Sequence, residues 1–154
     1  MKSNKAASIA ILLWFATIAV FAWFFIRGNT ATGTDNRTAV VLGAGEREVV
    51  LSEMRGMLSG VHGILDGINR GDMKQVASAA RGVGMSSAAD VKPGLMAKLP
   101  LPFKQLGMST HHDLDEISKA AESGRPAPEL LNMLSGVLTK CIACHAAWQI
   151  KAGN

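Results

Sequence analysis

The residues best placed to do chemistry stand close together near the end of the chain: Cys141, Cys144 and His145, in the order Cys-Ile-Ala-Cys-His. On a helix, positions i, i+3 and i+4 share one face. Two thiols and an imidazole then meet the same flat partner. C-x-x-C-H is the haem c attachment signature. Its spacing lets the two thiols add across two vinyl groups as thioethers while the imidazole binds the iron from one side. Competing readings are weaker. A thioredoxin-like pair opens a helix after a strand, whereas this pair comes late in an apolar, helical run. A structural zinc site takes four ligands, and the sequence holds only these two cysteines. Two cysteines so close also give no disulfide framework.

The segments around the motif read as helices. At 100° per residue, Leu134, Val137, Cys141, Cys144, His145 and Trp148 fall within an arc of about 100°, so the motif faces the apolar side of its helix. That helix opens at Pro126 and Pro128. A preceding helix opens at Pro100 and Pro102, runs through Phe103, Leu106, Leu114 and Ile117, and stops at Gly124. An earlier long helix spans Gly45 to Asn69 with an apolar stripe that includes Leu51, Met54, Leu58, Val61 and Leu65. Asp72 caps a shorter one that reaches about Val83. A connector with Gly, Ser and Pro follows, with a short helix over Gly94–Leu99. No stretch alternates as a strand, so an all-α, antiparallel four-helix bundle is expected over residues 45–154.

Ahead of this domain, Ser8 to Ile26 carry no charge and are long enough to cross a bilayer, about 28 Å as a helix. Lys2 and Lys5 flank the N-terminal side, which puts that side in the cytoplasm and the rest across the membrane. Residues 1–27 are therefore expected to form a single-pass transmembrane helix, retained as an anchor rather than cleaved as a signal. Residues 28–44, rich in Thr, Gly and Asn, read as a flexible linker. The net charge of +4 owes much to the leader: without Lys2, Lys5 and Arg27, thirteen basic residues face twelve acidic ones. No basic patch of the density that nucleic-acid binding needs is present.

The late Cys141–His145 motif, the run Arg47 to Ile68 and the four-helix pattern between them resemble class II c-type cytochromes, the cytochrome c-prime family, over about Gly45 to Lys151. The membrane segment is not part of the usual soluble domain of that family. The resemblance implies one covalently bound haem between the first and last helices, with His145 as proximal ligand. It also implies that the far side of the iron faces the first helix. The family pattern of an Arg followed four positions later by the distal residue carries Arg47 to Leu51, which cannot ligate and would leave the iron five-coordinate. Helix geometry favours Met54 instead, near the centre of the apolar arc, and a thioether suits electron transfer.

The function expected is therefore not enzymatic. It is single-electron transport by a mono-haem c-type cytochrome on the periplasmic face of a bacterial inner membrane, serving redox partner proteins of a respiratory chain. The alternative is a five-coordinate protein that binds or sequesters nitric oxide or carbon monoxide. His62, His111 and His112 read as surface or boundary residues. Lys140 and Lys151 are candidates to steer an acidic partner. Gly56, Gly60, Gly63 and Gly67 form a strip opposite the apolar arc of the first long helix. It is either a contact for a second copy, giving a homodimer through that helix, or a solvent face.

Overall fold

The computed structural model describes residues 5–89 and 91–153. Lys2, half of the expected positive flank, lies outside them. Helix α1 spans Lys5–Arg27 and β1 Thr30–Thr32. Strand β2, Thr38–Leu42, leads into α2, Ala44–Arg70, and α3, Met73–Arg81. Two short helices follow, α4 over Met85–Ala88 and α5 over Pro93–Lys98. The chain then forms α6, Leu101–Glu122, α7, Ala127–Ala147, and β3, Trp148–Ala152. The fold is thus mostly helical, with one small sheet and an apolar N-terminal helix.

Local signals explain the boundaries. Gly71 ends α2 at φ 70°, and its N–H bonds the Ile68 carbonyl. Asp72 Oδ1 then accepts from the Gln75 N–H at 3.0 Å and starts α3. Gly124, at φ 74°, closes α6, and prolines occupy the first turns of α6 and α7. Glu46, in the first turn of α2, accepts from the Gly43 N–H and pairs with Lys98 of α5. Lys98, and then Gly43, hold the Glu46 carboxyl below the usual carboxylate range.

Two features depart from expectation. Residues 28–44 are not a flexible linker. β1 and β2 pair antiparallel, Thr30 opposite Val40, and β2 pairs parallel with β3, Thr38 opposite Trp148. Ala39, Val40 and Leu42 are buried there. The expected all-α domain therefore carries a three-stranded sheet in the order β1-β2-β3. Trp148, placed on the last helix from its spacing, is the first residue of β3 instead.

The core has two parts. One joins Val61 and Ile64 of α2, Val76 and Ala80 of α3, Leu114 and Ile117 of α6, and Leu130, Leu134 and Val137 of α7. The other joins Val40 and Leu42 of β2, Val50 of α2, Leu95 of α5, Leu99 and Phe103. The glycine strip of α2 is the seat of α3. A Cβ at Gly60 would lie 2.5 Å from a Val83 methyl, one at Gly63 2.8 Å from Ala79 Cβ, and one at Gly67 2.8 Å from a Val76 methyl. The close approach that glycine permits is thus made within the chain. The buried face of α2 is rotated towards this strip, which leaves Leu58 70 % and Leu65 43 % exposed.

By length and composition, α1 and α7 both qualify to cross a membrane. They differ in packing. α7 buries Leu130, Leu134 and Val137, whereas α1 buries no residue and exposes its Trp, Phe, Leu and Ile side chains. α1 needs an apolar surround that the domain does not supply.

Candidate functional site

Cys141, Cys144 and His145 lie in the last two turns of α7. Cys141 packs against the helical core and Cys144 against the core beside the sheet, so the motif straddles the gap between them. Both cysteines are free and half-buried. Burial pushes both thiols above their ordinary range, and at Cys144 the neighbouring Cys141 adds to this. His145 is exposed.

Two cavities open beside the motif. One, of about 130 Å³, is bordered by Val50, Met54, Met57, His111, Cys141 and His145 among others. The second, of about 180 Å³, is bordered by Arg37, Leu51, Met54, His145, Trp148 and Ile150 among others. Met54, Phe103, Cys144 and His145 belong to both. Of the two candidates on the first long helix, Met54 therefore stands in the wall between the cavities, while Leu51 borders the second alone. Phe103 is fixed edge-on against Trp148, with ring centroids 5.7 Å apart.

The end of α7 is clamped by the β1–β2 turn. Arg37 Nη1 donates to the His145 carbonyl at 3.1 Å and to the Trp148 carbonyl at 3.4 Å. Arg37 is itself held by Asp35 at 2.6 Å, and Gln149 Nε2 donates to the same carboxylate at 3.0 Å. The loop thereby occupies the His145 carbonyl, one of those that the terminating helix leaves without an internal partner.

Three buried polar residues line one side of α6 at every seventh position: Lys104, His111 and Ser118. Each meets a main-chain carbonyl. Lys104 Nζ donates to Phe25 O at 2.9 Å, His111 Nδ1 lies 2.8 Å from Val83 O, and Ser118 Oγ donates to Ala77 O at 3.0 Å. His111, expected at the surface or boundary, is 3 % exposed and borders the first cavity. Its Nε2 is 3.1 Å from Glu53 Oε1, an oxygen with no other polar partner among the described residues. Acceptors at both ring nitrogens favour the doubly protonated ring. Burial alone would lower the His111 pKa, but Glu53 and the Val83 carbonyl outweigh it and hold it above the ordinary histidine value. His62 and His112 are exposed.

Lys140 also borders the first cavity, but it is paired with Asp113 at 2.6 Å and donates to Ser109 O at 3.2 Å, so its charge is neutralised locally. Lys151 is exposed on β3.

Among the described residues, no group of three or more His, Cys, Asp or Glu converges as a chelating metal site. The donors of the motif are spread along a helix face, an arrangement suited to a broad planar group. Each cavity is smaller than the roughly 300 Å³ at which ordinary ligand pockets begin. The wall between them includes Met54, whose unbranched side chain rearranges readily.

Comparison with known proteins yields no matching family model, no similar curated protein and no similar solved structure. What the site does follows from its own residues.

Arg37, Phe103 and His111 are members of this site that sequence reasoning did not place there. For His111 a signal exists: Lys104, His111 and Ser118 recur at heptad spacing beside the apolar residues of α6. For Arg37 there is none, because its partners lie across the whole helical region.

Proposed function

We propose that the chain is a mono-haem c-type cytochrome of class II type, held at the outer face of a bacterial inner membrane by α1, and that it carries single electrons between respiratory proteins. One observation carries this reading: the free, half-buried Cys141 and Cys144 and the adjacent His145 flank cavities walled on the other side by Met54. A four-helix bundle of α2, α3, α6 and α7 is the architecture this implies. In support, α3 packs on both α2 and α6, and α7 packs on α6.

Bound haem would supply a one-electron iron couple. Cys141 and Cys144 would hold it by thioethers and His145 would be the proximal ligand. The Arg37 bond to the His145 carbonyl fixes the helix end that carries the imidazole. Phe103 and Trp148, set edge to face beside that end, would cover one side of the group. Met54 would ligate the distal side and favour the reduced state. Leu51, bordering the second cavity beside His145, supports a second reading in which the distal position stays open to nitric oxide or carbon monoxide.

The decisive experiment is expression of the full chain in a host able to attach haem c. Denatured protein should retain one haem by mass and by in-gel haem staining, and Cys141→Ala with Cys144→Ala should abolish this. Wild-type protein free of covalent haem would overturn the reading. For the anchor, mass spectrometry of the mature N-terminus should find α1 present; a chain beginning near Gly33 would refute it.

A further inference from the structure

The junction between α1 and the domain is a built joint. Lys104 is 7 % exposed, and among the described residues no carboxylate lies within ion-pairing distance of it. Its Nζ instead donates to Phe25 O and lies 3.6 Å from the centre of the Phe25 ring. Phe25 O is one of the last four carbonyls of α1, which have no partner inside the helix and form its negative pole. Lys104 thus caps α1 from the neighbouring domain, with a cation–π contact added.

The next residues complete the joint. Gly28 leaves α1 at φ 63°, and a Cβ there would lie 2.5 Å from Lys98 O and Pro100 N. Asn29 N–H donates to Lys98 O at 2.7 Å, and Asn29 exchanges bonds with Val41 of β2 through its side-chain amide and its carbonyl. Thr30, Val40 and Ile150 then form one row across the sheet, about 10 Å wide at the usual strand spacing. Phe103, one residue from Lys104, borders both cavities of the candidate site. The foot of α1 and the Cys141–His145 end of α7 therefore occupy the same end of the domain.

We propose that Lys104 and Gly28 lock the domain onto α1, holding the Cys141–His145 site at the membrane-proximal end, so that its electron partner is an integral membrane protein met in the plane of the bilayer. The proposal rests on the haem and anchor readings above. A flexibly tethered domain would swing out and meet soluble partners equally well.

The test uses the full haem-loaded chain in bilayers, with Lys104→Met, Gly28→Val and Lys104→Arg variants. In aligned bilayers the wild-type haem should show linear dichroism, and residues 28–37 should resist added protease. K104M and G28V should lose most of the dichroism and be cut there at least tenfold faster, with the Soret band unchanged, and K104R should restore part of both. In vesicles, oxidation by a soluble cytochrome c should be at least tenfold faster for K104M than for wild type. A wild type without dichroism, cut as fast as the variants, or oxidised at the same rate would overturn the proposal. Absence of haem would fail the earlier reading instead, and the protease measurement would still decide whether the joint is locked.

Discussion

Arg37 Nη1 donates to the carbonyl oxygen of His145 at 3.1 Å, joining the β1–β2 turn to the last turn of α7. The two residues are neighbours only because β2 and β3 pair. Arg37→Ala should therefore loosen one specific place. Amide exchange should rise over residues 144–150 while α2 and α3 stay protected. Uniform loss of protection across the helices would refute the clamp.

The glycine strip of α2 should respond with opposite signs along its length. A Cβ at Gly56 meets nothing within 4 Å, so Gly56→Ala should stabilise by about 0.4–1 kcal/mol through helix propensity and unfolded-state entropy. A Cβ at Gly67 would lie 3.0 Å from the Val76 backbone nitrogen as well as against its methyl. Gly67→Ala should cost about 1–3 kcal/mol as an overpacked contact. Denaturant titration of both variants decides; equal effects would mean that α3 does not sit on the strip.

His111 predicts a pH dependence. Its pKa is raised in the folded state, so its stabilising contribution is complete below the unfolded value of about 6.5 and is lost as pH rises through the folded value. Unfolding free energy should fall over that window in wild type. His111→Phe should be less stable on the acid side and show a flatter profile. An unchanged pH profile in the variant would exclude His111 as its source.

Met54 separates the two readings of the iron. With Met54 as ligand, wild type should be low-spin and slow to bind carbon monoxide, and Met54→Ala should become high-spin and bind it rapidly. If wild type is already high-spin and the variant is unaltered, Leu51 borders an open site and gas binding is the better reading.

Much of the helical layout was legible because its signals are local. Asp72, Gly71, Gly124 and the paired prolines at the starts of α6 and α7 act within a turn of where they stand. The common facing of Cys141 and Cys144 was legible too, since their i, i+3 spacing puts both on one side of α7, where both border the first cavity. The sheet was not. β1 has three residues, and β2 is a short apolar run without alternation whose parallel partner lies beyond every helix of the domain. The rotation of α2 was hidden for a related reason. Counting apolar residues puts Leu58 and Leu65 inside, but α3 needs backbone contact, and the glycines provide it. His111 went unplaced because a buried imidazole depends on acceptors from α2 and the Val83 carbonyl, supplied by separate parts of the chain.

The pairing of β2 with β3 also dictates an order of assembly. Thr38 and Trp148 lie 110 residues apart, so their pairing closes a loop over α2 to α7 and carries a high loop-closure cost. Until then Val40, Val41 and Leu42 form an apolar edge without a neighbour on that side, the kind of strand that recruits foreign strands. In the same interval the end of α7 lacks the Arg37 clamp. The step that hides the aggregation-prone edge is therefore also the step that fixes the helix end beside Cys141 and Cys144.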